Sequence, residues 1–591
     1  MNLSLKDSRI NNAVALFTSG ELNKCLSTTL KLIKIYPMEP FLLNLAGVVN
    51  ASMQNYEQAV TSYKKALSLN SKYIEVYNNI GVAYKDWGRP KIALKYLSEA
   101  IRLNPSYAEA YNNLGNAEKD LSQLDKAIEN YSKAIEINPG YVDAMCNKGI
   151  SLALQEKYEK ALELYQHALT LDPENMEIKY FISDTFFNLG KYKDAQVLIN
   201  PLKCDTILDF KFCKLFAKIL QKTGNKHALK YYKKALNING EDDDLLNNIG
   251  TLFFDNKKIG FAIRFFEASK RLNPFNYRSI LNLAYSQLME GRYKEGWSNY
   301  EYRWKVSPLD NAVWPIRDKD IWNGEKAKDV ILWREQGIGD DILFLGLILE
   351  AQDRSKKLSV YVDPRLVSLC KRSMKEIDFF AYETVIEQKA DFHLPMGSLP
   401  RLFRQTEDDF KKTKRSYLKA DPERVKAITS ELGLEGKKVI GISWKSIKSL
   451  NTLKKSLTLL EFGAIFEGLD VTLVNLQYGD VNKEINEFEE ETGIKIVQCG
   501  SVDNREDLDG LAALIEACDL VVSTSNVTIH LAGALGKDTW VLLPFVSSFW
   551  WLLNRDDSVW YPSIKIYRQK KFGDWKFAIN FLRNELCSKL S

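Results

Sequence analysis

From about residue 40 to residue 300 the apolar positions recur at helical spacing inside blocks of 34 residues, and from Val330 they contract into short runs divided by turns. The blocks can be phased on a glycine at Gly47, Gly81, Gly115, Gly149 and Gly250. An alanine follows twelve residues later at Ala59, Ala93, Ala127, Ala161 and Ala262. A proline closes the block at Pro105, Pro139, Pro173 and Pro274, where it can only follow the second helix because it lacks the N–H that a helix interior uses. Small residues at fixed points predict two helices touching closely, so each block is a helical hairpin.

Period and phase together are those of the tetratricopeptide repeat. Repeats are predicted to begin near residues 6, 40, 74, 108, 142, 176, 209, 243 and 277. The sixth is one residue short and carries Pro201, which predicts a distorted second helix and a kink. The first is degenerate, with Ala13 and Cys25 at the Gly and Ala positions, as terminal repeats often are.

Beyond Val330 the runs Val330–Trp333, Leu358–Val362 and Ala390–Leu394 predict strands of one α/β unit. A second set follows the basic stretch Lys411–Arg415, at Val439–Trp444, Val471–Leu476, Lys495–Gln498, Leu520–Ser523 and Thr539–Leu543. Buried strands alternating with helices predict two parallel sheets covered on both faces. The expected fold class is an α superhelix of repeats followed by two Rossmann-like parallel-sheet domains, with the ligand crevice at the carboxyl ends of the strands. The expected boundaries are repeats over 1–305, a connecting segment over 306–329, a first α/β domain over 330–430 and a second over 431–591.

Composition narrows the function classes. Lys plus Arg total 81 against 76 Asp plus Glu, a balance of +5 that is small for 591 residues and gives no reason to expect a nucleic-acid partner. No cationic run precedes an apolar core at the N-terminus, and no stretch is apolar enough for a membrane span, so neither a signal peptide nor a transmembrane segment is expected. The eight cysteines lack CxxC spacing and the four histidines are dispersed, which fits a reducing cytoplasm and predicts no metal site.

Four constellations in the second half could carry chemistry. In Trp333–Phe344 a strand ends in a glycine turn that opens a helix, so Gly337 and Gly339 bend the chain and Asp340 stands at the helix start. A carboxylate there either takes a proton from an attacking hydroxyl or simply caps the helix. Ser443 and Lys445, with Lys454, Lys455 and Ser456 beyond, end a strand of the second sheet and could meet a diphosphate, although solvated loop lysines are the commoner outcome. In Asp519–Lys537 a strand gives way to a polar turn and a helix, so free N–H groups with Ser525, Asn526 and Thr528 form an anion site, or the turn is an ordinary cap with His530 in the core. The last is Phe549–Arg555 with Trp560, Tyr561 and Arg568, which offers ring faces and cations, or core filling for Trp560 and Tyr561.

Gly291–Trp304, Trp322-Asn-Gly, Glu335–Asp340 and His530–Gly536 with the Trp-Tyr-Pro-Ser and Arg-Gln tail resemble bacterial tetratricopeptide-repeat glycosyltransferases over essentially the whole chain. Their catalytic half is similar to heptosyltransferase-like GT-B enzymes, and a flagellin glycosyltransferase of this architecture is the nearest functional counterpart. The resemblance implies transfer of a sugar from a nucleotide-activated donor to a protein acceptor, flagellin being one candidate. It implies no cofactor and no metal, since the nucleotide sugar is a substrate. Asp340 would be the base, on an acceptor loop of Glu335, Gln336, Gly337 and Gly339. Ser443, Lys445, Ser525, Asn526, Thr528, His530 and Arg568 would bind the donor. The family turn before the histidine begins with Asp then Thr, whereas this chain has Ser525 and Asn526, which removes an acidic role there.

Position six of the repeats carries Asn79, Asn113, Asn147, Asn248 and Asn282, interrupted by Phe181 and Lys214. An amide that donates and accepts can pair with any peptide backbone, and the row resembles the asparagine ladder of O-GlcNAc transferase. The predicted partner is an acceptor protein in the repeat groove. Two alternatives stay open: a scaffold whose GT-B half has decayed into a ligand sensor, and a glycan or lipid-linked glycosyltransferase that uses its repeats for docking. The last repeat has Gly296 in place of Ala, and residues 290–325 are expected to pack on the first α/β domain.

Overall fold

The structure is a computed structural model that describes residues 8–199, 207–306, 316, 320–382, 386, 390–446 and 457–590. Pro201 and its predicted kink lie outside the described residues, as do Lys454, Lys455 and Ser456. The chain forms two compact units, 1–240 and 241–591.

The first unit is a succession of helix pairs in the predicted phase, with first helices at Pro40–Ser52, Ile74–Asp86, Ala108–Asp120, Val142–Leu154 and Met176–Asn188. The marker glycine has a steric cause. A methyl group built on Gly149 would lie 2.4 Å from the Tyr165 ring of the second helix, so only glycine lets the two helices approach. Repeats are also joined laterally by amides. Asn79 donates to Asn44 at 3.0 Å, Asn113 to Asn78 at 2.9 Å and Asn147 to Asn112 at 3.0 Å.

The second unit opens with two further repeats, Asp243–Asp255 with Ile259–Leu272 and Tyr277–Met289 with Tyr293–Tyr300. The compact units therefore divide at Gly240, while the change of pattern falls near residue 305. A 3₁₀ turn, Glu301–Lys305, leads into the first sheet. That sheet comprises β1 (Asp320–Ile321), β2 (Ala327–Trp333), β3 (Ser355–Val362), β4 (Asp378–Ala381) and β5 (Phe392–Pro395), in the order β1-β5-β2-β3-β4. The second comprises β6 (Val439–Ser443), β7 (Thr472–Asn475), β8 (Ile496–Val497), β9 (Leu520–Thr524), β10 (Thr539–Leu543) and β11 (Ile564–Arg568), in the order β11-β10-β9-β6-β7-β8. All pairings are parallel. Both orders reverse direction once, between β2 and β5 and between β6 and β9, which are the points where such sheets open a crevice.

One core continues from the repeats into both domains. Ile259, Phe266, Trp297 and Tyr300 belong to the same buried cluster as Val330, Leu332, Ile529, Leu531 and Trp560. Aromatic edges tie it together. Trp297 meets Phe549 at 5.8 Å and Trp560 at 6.3 Å, and Phe410 meets Tyr293 at 5.0 Å and Trp560 at 4.9 Å. Gly296 is needed there, since a methyl group would lie 2.7 Å from the Leu288 side chain. The far face of the second sheet has its own core, closed by Leu582 and Leu586 of the Lys576–Leu590 helix. Among the described residues, no helix is long and apolar enough to cross a membrane.

Candidate functional site

β2 ends at Trp333, at the reversal point of the first sheet, and the chain turns through Glu335–Gly337 into the helix Ile338–Leu345. Asp340 lies in its first turn. One carboxylate oxygen accepts from the Gly337 N–H at 3.1 Å, so the residue does cap its helix. The other oxygen makes no protein hydrogen bond among the described residues. Burial, aided by the nearby Glu335 carboxyl, pushes the Asp340 carboxyl up to about 6 against the pull of that N–H and of Arg334. Such a group is mostly ionised at neutral pH yet is a far better base than a solvated aspartate.

The adjacent Asp341 is buried and meets Arg334 Nε at 2.7 Å. Arg334 also meets Asp363 at 3.0 Å and donates to the Gln336 carbonyl at 2.9 Å, so one guanidinium braces the turn from beneath. Glu335 and Gln336, expected to face an acceptor, are instead held by the last repeat. Glu335 pairs with Arg303 at 2.8 Å, and Gln336 Nε2 donates to the Tyr300 hydroxyl at 2.7 Å. A methyl group on Gly397 would fall 1.8 Å from the Glu335 carboxylate, so this close approach also needs its glycine. The two residues tie the turn before Asp340 to the last repeat, and the Glu335 carboxylate and the Gln336 amide nitrogen are spent in doing so.

Across the crevice, β9 ends at Thr524 and the polar turn at Ser525 and Asn526 opens the helix Val527–Leu535. Helices Ile338–Leu345 and Val527–Leu535 pack together, and a methyl group on Gly339 would lie 3.1 Å from His530 Cδ2. His530 is 7 % exposed and its Nδ1 lies 2.9 Å from the Tyr561 hydroxyl. Burial pulls its imidazole down to about 4, so it is neutral at physiological pH.

Three of the expected donor-binding side chains are turned to structural use. Asn526 caps the helix through the Thr528 N–H at 3.0 Å, and its amide donates to Ser443 Oγ at 2.7 Å and to the Lys445 carbonyl at 3.2 Å. Ser443 is 0 % exposed and its hydroxyl donates to Gln477 Oε1 at 3.0 Å. Thr528 is wholly buried, 3.4 Å from the Leu476 carbonyl. Direct donor contact by these hydroxyls and this amide is corrected to a brace joining the ends of β6, β7 and β9. The Gln477 carboxamide oxygen organises that brace, accepting also from the Trp444 and Lys445 N–H groups at 3.0 and 2.9 Å. Lys445 keeps a partly exposed ammonium, but Glu484 is in contact with it.

Ser525 Oγ accepts from Trp551 Nε1 at 3.0 Å, and the Trp551 carbonyl accepts from Arg568, so a single tryptophan joins the polar turn to the end of β11. Trp551 also stacks on His530 with ring centroids 5.9 Å apart. Trp560 and Tyr561 are core residues, and Arg555 pairs with Asp557 at 2.6 Å and Glu407 at 2.9 Å. A separate cleft of about 820 Å³ lies at the carboxyl ends of β7 and β8, lined by residues that include Gln477, Asp480, Gln498, Asp503 and Asn504.

In the repeats, Asn282 donates to Asn247 at 2.9 Å, like Asn79, Asn113 and Asn147 in the first unit. Each of these four thus has one amide hydrogen committed to its neighbour and a carbonyl oxygen left over. Asn248 makes no side-chain hydrogen bond among the described residues. No group of three or more His, Cys, Asp or Glu suited to a metal occurs among them either.

Sequence reasoning missed Arg303, Tyr300 and Gln477 as organisers. Gln477 had a legible signal, a polar residue just past an apolar strand at a carboxyl end. Arg303 sat inside a quoted motif, yet nothing local points it at Glu335, 32 residues away.

The tetratricopeptide-repeat family model matches residues 74–107, 108–141 and 142–175, and a further TPR-repeat model matches 49–88. Protein FlbA of Caulobacter vibrioides is 29 % identical over 409 residues, which span 59 % of this chain and 68 % of FlbA. Among solved structures, YrrB, described as a TPR protein with an unusual peptide-binding site, is 29 % identical with a TM-score of 0.25, covering 29 % of this chain and 88 % of its own. MamA from Desulfovibrio magneticus RS-1 is 23 % identical with a TM-score of 0.26, covering 28 % and 94 %. The chain carries tetratricopeptide repeats, followed by two parallel-sheet α/β domains consistent with a GT-B-like architecture.

Proposed function

We propose that the protein is a glycosyltransferase that moves a sugar from a nucleotide-activated donor to a hydroxyl of a protein acceptor held by its repeats. The observation that carries this reading is the meeting of Gly339 with His530, which sets a half-buried carboxylate of raised basicity on one sheet's helix against a helix start on the other. Asp340 takes the acceptor hydroxyl proton as its oxygen attacks the anomeric carbon. The bond from that carbon to the donor phosphate breaks, and the phosphate leaves with the electron pair. The N–H groups at the start of Val527–Leu535 favour the charge it acquires. The cleft beside Gln477 offers carboxylates and amides suited to ribose hydroxyls and base edges.

The repeats supply the acceptor side of the proposal. Their asparagine row keeps unspent carbonyl oxygens that can accept from a peptide backbone, and flagellin is one acceptor to try. Incubation of the full chain with a panel of nucleotide sugars, scored for released nucleotide and for the mass of proteins retained by the repeats, tests the reading. Sugar-dependent mass gain on a retained protein is expected. No nucleotide release from any donor, with an intact fold, would leave a non-catalytic scaffold.

A further inference from the structure

Two cations stand near the end of β11 without an acidic partner. Arg568 is largely buried, and its three donor contacts go to the Ser547 hydroxyl at 2.8 Å, the Trp551 carbonyl and the Arg555 carbonyl at 3.4 Å. None of these carries a charge. Lys257 belongs to the turn between the two helices of the eighth repeat, and its ammonium lies 4.0 Å from the centre of the Phe545 ring, on the loop after β10. Among the described residues, no carboxylate pairs with either. Burial and Arg555 pull the Arg568 guanidinium down to about 10, and burial together with Arg568 lowers the Lys257 ammonium. A buried cation is seldom left without an anion.

The surroundings are built in the same sense. The Phe545 N–H donates to Gln569 Oε1 at 3.0 Å, which leaves the Gln569 carboxamide nitrogen, on a residue 2 % exposed, with no protein partner. Leu552 and Asn554, beside the Trp551 carbonyl that holds Arg568, have φ of 49° and 55°. For Leu552 the left-handed conformation is strained, and such strain persists where surrounding contacts over-determine it. Lys445, the cation expected from sequence, already has Glu484.

We propose that Lys257 and Arg568 together form an oxyanion subsite that takes a phosphate of the donor, so that a repeat contributes directly to the nucleotide-sugar site. The proposal rests on the glycosyltransferase reading for the identity of the ligand. The subsite adjoins the polar turn because Trp551 touches both Arg568 and Ser525. Anchoring the donor partly on the eighth repeat couples the donor side to the repeat that packs against the last one, whose Tyr300 and whose following Arg303 hold Gln336 and Glu335.

Titration of the full chain with inorganic pyrophosphate, in wild type, Lys257→Met and Lys257→Arg, tests this, with nucleotide-sugar turnover followed on the same preparations. A charge-assisted contact to phosphate predicts about tenfold weaker pyrophosphate binding in Lys257→Met and recovery of most of it in Lys257→Arg. Equal affinity in Lys257→Met and wild type, or no saturable binding in wild type, overturns the subsite, and turnover with unchanged KM in Lys257→Met would then leave the enzymatic reading standing. Lys257-dependent binding with no donor turned over keeps the subsite and removes the enzymatic reading. Thermal melting of each variant, with the Lys257→Arg chain as the charge-retaining reference, separates lost contact from lost fold.

Discussion

Arg303 Nη2 lies 2.8 Å from Glu335 Oε1, and each side chain is only 2 % exposed. Arg303 follows the last repeat and Glu335 opens the turn that leads into the helix carrying Asp340. The same guanidinium reaches Glu301 at 2.8 Å and Ser398 at 2.9 Å, so its charge and its donors are matched without water. A buried pair of this kind adds little stability over an apolar substitute, but breaking it strands a charge.

Arg303→Met or Glu335→Met alone is therefore expected to destabilise the second unit by about 3 kcal/mol or more, while the two combined recover most of the loss. Denaturant unfolding of the four chains of the cycle checks this. Additive losses would show that the two residues do not act as a pair.

Gly149→Ala forces a methyl group against the Tyr165 ring, and overpacking of that kind costs roughly 1–3 kcal/mol. The same replacement should cost less in a Tyr165→Ala background than in wild type, because the ring it meets is gone. A Tm unchanged by Gly149→Ala alone would contradict the account of the 34-residue phase.

The burial of His530 has a signed consequence. Its folded-state pKa lies below the ordinary 6.5, so the contribution to stability is present above pH 6.5 and is lost as pH falls toward about 4. The full shift corresponds to about 3 kcal/mol. His530→Gln removes this dependence, so its stability relative to wild type should improve steadily between those pH values. A relative stability that does not vary with pH would show that the imidazole is not held neutral.

Simultaneous Ala replacement at Asn79, Asn113 and Asn147 is expected to weaken binding of an acceptor protein and to spare hydrolysis of the donor. Because the same amides donate to Asn44, Asn78 and Asn112, the variant also loses about 0.5–1.5 kcal/mol per bond from repeat packing. Binding is therefore measured well below the melting temperature of the variant. Unchanged affinity would leave the row with its bracing role alone.

The repeat was the most legible part of the fold, because period and phase are properties of the sequence itself. Helices begin at Pro40, Ile74, Ala108, Val142 and Met176, at the positions the phase predicts. Strands were legible where a run is apolar and long, as at β2, β6 and β10. β1 and β4 were not, each opening on an aspartate that breaks the apolar run, and β11 was masked by Lys565 and Arg568 among its apolar residues. The site was legible in position and not in role. Strand ends and glycine turns located Asp340, Ser443, Asn526 and His530. Whether a polar side chain faces a ligand or a neighbour depends on contacts between distant segments, such as Ser443 with Asn526 across 83 residues, and no local pattern encodes those.

The central claim is that Asp340 removes the acceptor proton. The most direct measurement is sugar transfer by the full chain between about pH 5 and 8, in wild type and Asp340→Asn. The wild-type rate should fall about tenfold per pH unit below an inflection near 6, and Asp340→Asn should lose about 10²- to 10⁴-fold while melting like wild type. Full transfer by Asp340→Asn would contradict the claim.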